Sequence, residues 1–359
     1  MRIGIVTQSL SHNYGGILQN YALQQVLKRL GHEPITIDYR PKVPLWRFVL
    51  STLKSVVLFF LPGRRRRFAP WPKASERNRL TAPFIETHIA MTDIVTGYSE
   101  RLVHRYQLDG VITGSDQVWR PCYNVSTLYD CYLSFVKGKR LRVAYAASFG
   151  VDHWEYSLLQ TARCKRLARR LDAVSVREQS GIALCASHLG IKAIETLDPT
   201  LLLSPQDYAA LCTDVPKVEE RFLAAYLLDM DDEKRNIVEH FASQYQLAVR
   251  YVSADQNLSL RVEEWLALFR DAKFVVTDSF HGTVFSIIHH KDFISIMNRD
   301  RGASRFESLL SKFGLKSRLI SCQDELCSLS PINWDQVDKL KQAWQATSLN
   351  FLKESLCQK

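Results

Sequence analysis

Short apolar runs of strand type alternate with amphipathic helical stretches along most of this chain, and that alternation restricts its fold more than any other feature. In a first series, Ile3–Thr7 reads as a strand, Ile17–Leu30 as a helix ending at Gly31, and Pro34–Tyr39 as a second strand. A helical stretch near Ser99–Tyr106 follows, then strands over Gly110–Thr113 and Arg142–Ala147, a helix over Trp154–Arg170, a strand over Ala173–Val176 and a short helix from Glu178. The two prolines of Thr196–Pro205 end this series. A second one runs through strand Phe222–Leu228, helix Asp232–Tyr245, strand Leu247–Ser253, helix Arg261–Phe269 and strand Phe274–Thr277, with Phe293–Met297 as a further strand. Such alternation predicts parallel sheets covered by helices on both faces. The expected fold is α/β, with two Rossmann-like domains facing a cleft. Residues 1–205 are expected to form the first, interrupted by an insertion at 40–80, and residues 206–332 the second. A C-terminal helix within 333–359 is expected to pack back on the first domain.

The chain has 359 residues, 46% of them hydrophobic, enough for two large cores and far from the composition of a disordered protein. Its eight cysteines are scattered, with no C-x-x-C pair and no zinc-type spacing, a pattern that fits reduced thiols in a cytoplasmic protein. The N-terminus, MRIGIVTQSL, reads as a first strand rather than as a secretory signal. Between Tyr39 and Leu80 eleven basic residues face one acidic residue, Glu76, and this excess equals the whole formal net charge of +10. The window also holds Phe48–Leu61, FVLSTLKSVVLFFL, followed by Arg64–Arg67. That stretch is too short and too interrupted to span a bilayer, which takes about 20 apolar residues. An apolar helix edged by arginines suits the interface of an anionic membrane, whereas a core helix followed by a solvated loop is the plainer reading. No nucleic-acid-binding module is visible, and nucleic acid is not an expected partner.

Four strand ends carry candidate chemistry. In Lys273–Ile288, KFVVTDSFHGTVFSII, a buried-type strand is followed by Asp278, Ser279, Phe280 and His281, with a helix beginning at Gly282-Thr283. In an open α/β sheet, ligands bind outside the carboxyl ends of the strands, so these residues would line the crevice. The bland alternative is a core histidine beside a helix cap. Asn13-Tyr14-Gly15-Gly16 lies between the first strand and first helix, where backbone N–H groups favour anions, but it matches neither a dinucleotide nor a P-loop fingerprint. Gly114-Ser115-Asp116 follows another strand, and Asp116 either faces the cleft or caps the next helix. Arg177 ends a fourth, offering a fork for phosphate or carboxylate, or a partner to a neighbouring acid. Arg299, Arg301 and Arg305 surround a glycine turn in Asn298–Phe306. Asp229-Met230-Asp231 spells a D-x-D, but its setting before a helix favours a capping cluster over a metal site.

Taken together, the segments NYGGILQNYALQQVLKRLGHE, VITGSDQVW, RVAYAASFG, SVREQSG, LDPTLLL, TDSFHGTVFSI and RGASRF resemble the polysaccharide pyruvyl transferase family, in family order. The resemblance implies a cytoplasmic enzyme of GT-B-like architecture that transfers a group from phosphoenolpyruvate to a sugar of a cell-surface polysaccharide precursor, forming a pyruvate ketal. It implies His281 as catalytic histidine and Arg177 as a donor-binding arginine. The family often has Arg-Leu before that histidine where this chain has Ser279-Phe280, so Lys273, Arg301 or Arg305 is expected to supply the missing cation. Protonating the enol carbon needs a general acid, His281, and deprotonating the sugar hydroxyl needs a base, for which Asp116 is the candidate. The expected donor site comprises Arg177, Ser279, Phe280, Gly282, Arg301 and Arg305. Asn13, Tyr14, Gly15, Gly16 and Ser115 form the expected acceptor or anion-binding loop. No metal and no cofactor are expected, phosphoenolpyruvate being a co-substrate. The acceptor would be a sugar, in one form linked to polyprenyl diphosphate, and the enzyme would sit on the inner face of the cytoplasmic membrane. The alternatives are a GT-B glycosyltransferase using a nucleotide sugar and a non-catalytic scaffold of a glycan assembly complex.

Overall fold

The computed structural model describes residues 1–40, 79–253, 260–297, 303–321 and 329–357. The apolar stretch Phe48–Leu61, the arginine run Arg64–Arg67, and Arg299 and Arg301 lie outside the described residues.

The first unit begins with strand β1 (Arg2–Val6) and helix α1 (Tyr14–Arg29). The Asn13 side chain caps α1 by accepting from Gly16 N at 3.2 Å, and Lys28 and Arg29 complement the dipole at its other end. Strand β2 (Glu33–Thr36), helices α2 (Ala82–His88) and α3 (Glu100–Arg105), and strands β3 (Gly110–Gly114) and β4 (Leu141–Ala147) follow. Helix α4 (Leu158–Ala168) starts at a capping box formed by Ser157 and Gln160, four residues later than its apolar pattern suggests. Strand β5 (Ala173–Val176), helix α5 (Gln179–Leu184), strand β6 (Ile194–Glu195) and helix α6 (Pro205–Ala209) complete the unit. Its sheet has the order β2-β1-β3-β4-β5-β6, every pairing being parallel.

The second unit runs through strand β7 (Phe222–Leu227), helix α7 (Asp232–Tyr245), strand β8 (Ala248–Ser253), helix α8 (Val262–Asp271), strand β9 (Phe274–Thr277), helix α9 (Phe280–Ile288), strand β10 (Asp292–Ile296), helix α10 (Ala303–Lys312) and strand β11 (Leu319–Ile320). Its sheet order is β11-β10-β9-β7-β8, again parallel throughout. Strands buried on both faces explain the near-continuous apolar runs FLAAYL and FVVT. The chain is thus an α/β protein of two parallel, helix-covered sheets, the GT-B-like arrangement.

One hydrophobic cluster joins the two units, from Ile3, Ile17 and Tyr145 to Phe222, Trp265 and Phe285. Tyr14 is its clearest bridge, for its ring stacks on Trp265 at 5.3 Å and its hydroxyl donates to Leu260 O at 2.6 Å. The last helix, α11 (Trp334–Cys357), is a second bridge. Near its start Trp334 stacks on His290 of the second unit, while Gln345 Nε2 donates to Leu201 O and Phe351 packs on Tyr145 of the first.

Candidate active site

The carboxyl ends of β1, β3, β7 and β9 converge on a cavity of about 260 Å³ between the two sheets, lined by His12, Asn13, Asp116, Gln117, Tyr123, Tyr226, Phe280, His281 and Arg305 among others. The N-termini of α1 and α9 both meet here, bringing first-turn backbone N–H groups and the positive ends of two helix dipoles to one place.

His281 sits in the first turn of α9 rather than at the strand end. Ser279 is the true N-cap, accepting from Gly282 N at 3.4 Å, so the helix starts two residues before the expected glycine. The imidazole is buried at 7% exposure, with Nε2 3.6 Å from Asp198 Oδ2. Nδ1 lies over Gly15, where an added Cβ would overlap the ring, so α1 can approach His281 only because that residue is glycine. Gly282 faces the other way, against Thr277, and allows α9 to pack on its own strand.

Asp198 is the hub that the sequence reading missed. Its fully buried carboxylate accepts from Ser115 Oγ at 2.7 Å and Arg177 Nη1 at 2.8 Å through Oδ2, and from Thr200 N and Oγ1 through Oδ1. Burial alone would raise its pKa, but His281, Arg177 and Thr200 together outweigh that and hold the carboxyl well below its usual range. The Asp-Pro-Thr sequence carries a capping signal, and Asp198 does cap the short turn Pro199–Leu202. Nothing in the spacing of residues 115, 177, 198 and 281 announces that they meet.

Two guanidiniums stack on the ring of Phe280, Arg177 at 4.5 Å and Arg305 at 5.5 Å from its centroid. Arg177 Nη2 is also 3.9 Å from Asp116 Oδ1, while its Nε and Nη2 are buried without a hydrogen-bond partner among the described residues. Burial first, and then the Arg177 charge, push Arg305 down to about 10. Turned with its oxygen toward Arg305, the Gln117 amide accepts from both terminal nitrogens at 3.0 Å. Phe280 therefore acts as a platform for two cations.

The other expected residues divide. Asp116 faces the cavity with φ of +49°, its Oδ1 accepting from Gln117 N; among the described residues its buried Oδ2 has no hydrogen-bond partner and it caps no helix. Tyr14, Gly15 and Gly16 form the first turn of α1 and not a loop, and the Tyr14 side chain leaves the cavity for the Trp265 core. Ser115 reaches the site through Asp198. Lys273 cannot replace the missing cation, because it precedes β9 at the end of the strand away from the cavity, where its N–H bonds Phe222 O. Asp278 is spent on structure, holding Leu228 N at 2.6 Å and Lys234 Nζ at 2.9 Å. Asp231 caps α7, as its setting suggests. Among the described residues no group of three or more His, Cys, Asp or Glu side chains converges as a metal site, and no helix is long and apolar enough to cross a membrane.

No curated protein matches the chain in sequence. In fold it is similar to the UDP-GlcNAc 2-epimerase from Neisseria meningitidis bound to UDP-GlcNAc (9% identity, TM-score 0.49, 100% of each chain covered). It is also similar to the UDP-GlcNAc 2-epimerase from Methanocaldococcus jannaschii (13% identity, TM-score 0.46, covering 96% of this chain and 93% of that one). A third similar structure is a heptosyltransferase from E. coli with ADP (12% identity, TM-score 0.40, covering 96% and 100%). The sequence profile described as "Polysaccharide pyruvyl transferase" matches residues 13–300, which include every cavity-lining residue of the first unit from Asn13 onward and His281 of the second. On that match, spanning well over half of its length, the chain belongs to the polysaccharide pyruvyl transferase family.

Proposed function

We propose that this protein transfers the pyruvyl moiety of phosphoenolpyruvate to a sugar of a cell-surface polysaccharide precursor and closes it as a pyruvate ketal. The observation that carries this reading is the convergence, in one small cavity, of an imidazole beside a buried carboxylate with two guanidiniums and two helix N-termini. A donor bearing both phosphate and carboxylate asks for that set of groups. Arg305 and the unpartnered edge of Arg177 would hold the anionic groups, with Ser279, Phe280 and the α9 N-terminus completing the donor site. Nothing in this chemistry requires a resident cofactor.

In the reaction, His281 gives a proton to the methylene carbon of the enol, which becomes the methyl group, and positive charge develops at the neighbouring carbon. A sugar hydroxyl attacks that carbon and gives its proton to Asp116. The carbon–oxygen bond to phosphate then breaks, phosphate departs with the electron pair, and a second sugar hydroxyl closes the ketal. The two hydroxyl protons balance the one delivered to carbon and the one taken by the leaving phosphate. Asp198, beside Nε2, orients the imidazole at the cavity. The acceptor is read as a sugar on a polyprenyl-diphosphate carrier, with the basic insertion at 40–80 meeting the inner face of the cytoplasmic membrane.

The test is incubation with phosphoenolpyruvate and candidate lipid-linked saccharides, following phosphate release and a pyruvyl mass gain on the saccharide. Thermal stabilisation by nucleotide sugars but not by phosphoenolpyruvate would overturn the reading in favour of a glycosyltransferase. A protein that responds to neither donor would be a scaffold.

A further inference from the structure

The three most exposed large hydrophobic side chains among the described residues are Leu158 at 90%, Leu159 at 83% and Val125 at 82%. All three lie in stretches that leave the carboxyl ends of β3 and β4, the side of the first sheet on which the cavity lies. Val125 follows Asn124, whose side chain bonds Gln117 O beside the cavity, and Leu158-Leu159 open α4 directly after the connection from the carboxyl end of β4. The two stretches are tied together, for Arg120 Nε pairs with Glu155 at 3.3 Å and Arg163 lies 3.8 Å over the Tyr129 ring. A surface leucine at a helix start needs no explanation alone. Three such side chains on the cavity side of one sheet do.

Charge supplies the second observation. From Ser157 to Leu171 the chain holds Arg163, Lys165, Arg166, Arg169 and Arg170 and no acid. Outside the 40–80 window the chain carries 36 basic and 36 acidic residues, so five bases without an acid in one stretch are a local concentration. Arg163 and Arg166 lie one and two turns behind the leucines, within the depth of a headgroup layer when the tip is immersed. Of the nearby acids, Asp130 lies near Arg163 and accepts from Ser134 Oγ, Asp172 accepts from Arg142 N, Glu155 is paired with Arg120 and Asp152 sits beside His153, so the five bases of α4 and the turn after it outnumber the acids around them. An apolar tip backed by arginines complements an anionic bilayer surface.

We infer that the rim formed by Val125, Leu158 and Leu159 is a membrane-docking surface that seats the mouth of the cleft against an anionic bilayer. It deepens the reading of the acceptor as membrane-held, and rests on that reading for its purpose. The three residues are separate in the sequence from the basic insertion at 40–80.

The experiment uses the full chain and sedimentation with vesicles of phosphatidylglycerol and phosphatidylcholine, or of phosphatidylcholine alone, at low and high salt. The parent should bind the anionic vesicles and release them as salt rises. Leu158→Glu with Leu159→Glu should weaken that binding by at least about tenfold, since both apolar contacts are lost and charge is added. Acids in the first turn suit the α4 dipole, so the variant should melt no lower than the parent. Leu158→Ser with Leu159→Ser, behind the intact Ser157 cap, isolates the apolar term. Parental binding by both variants would overturn the inference, as would a parent that ignores anionic vesicles. Self-association of the parent abolished by the same substitutions, without vesicle binding, would also overturn it and make the rim a protein contact. Both variants should keep the parental rate on a short water-soluble acceptor. A parent that never transfers pyruvate sinks the proposed function and leaves the vesicle result to stand or fall separately.

Discussion

Replacement of His281 by glutamine keeps the volume and hydrogen-bonding capacity of the side chain but removes a titratable proton donor. Transfer is expected to fall about 10²–10⁴-fold, with the melting temperature unchanged, in a steady-state assay of phosphate release. Asp198 makes a different kind of prediction, since it holds Arg177 and faces His281 but need not touch the donor. Asp198→Asn leaves a buried guanidinium without its nearest charge partner, with only Asp116 at 3.9 Å, which costs about 3–5 kcal/mol at neutral pH. The sign of the pH dependence follows from the depressed carboxyl pKa. The stabilisation is complete above the ordinary carboxylate value of about 4 and is lost as pH falls from there toward the folded value. Urea denaturation of the parent and Asp198→Asn should therefore show the largest gap at pH 7 and converging stabilities in acid. A gap that stays constant to pH 3 would mean that the Asp198 charge contributes nothing.

At the scale of the elements, the site depends on two helix N-termini approaching closely, and Gly15 sets how closely. Gly15→Ala places a Cβ in the His281 ring, so the imidazole must move while α1, a helix tolerant of alanine, stays folded. Displacement of a reacting group by about 1 Å can cost about 10² in rate. The expected result is a large loss of kcat, read against an unchanged circular dichroism spectrum and little change in donor affinity. The alternation of elements was legible in the sequence because parallel strands and amphipathic helices carry different periods, and it yields both sheets. Boundaries were less so: the apolar content of HGTVFSII draws the eye past Ser279, whose hydroxyl starts α9, and the glycines after Asn13 look like a turn although α1 begins at Tyr14. His281, Asp116, Arg177 and Arg305 could be named as polar groups at strand ends or near a turn. Asp198 could not be, for its role arises only when the segment after β6 folds over Ser115 and Arg177, far away in the chain.

Across the whole molecule, the cavity is made by two units that several side chains hold in register. Lys312 of α10 pairs with Glu195 of the first unit, and Ser308 Oγ accepts from Gln179 N, next to the Arg305 that reaches the cavity. The longest brace is α11, which leaves the second unit at His290 and ends over the first. There the fully buried Ser348 Oγ accepts from Leu197 N at 2.9 Å, while the Tyr145 hydroxyl donates to Leu197 O at 2.9 Å. Leu197 immediately precedes Asp198, so the C-terminal helix fixes the backbone from which the hub carboxylate projects. Ser348→Ala would strand that buried N–H, at a cost of about 1–3 kcal/mol. Because Asp198 aligns both Arg177 and His281, the loosened backbone should also lower kcat, although Ser348 touches neither cavity nor substrate. The measurements are urea denaturation together with kcat and KM for phosphoenolpyruvate, at a temperature where the variant is fully folded. A stability loss of this size with kcat at the parental value would show that α11 holds the units together without positioning the site.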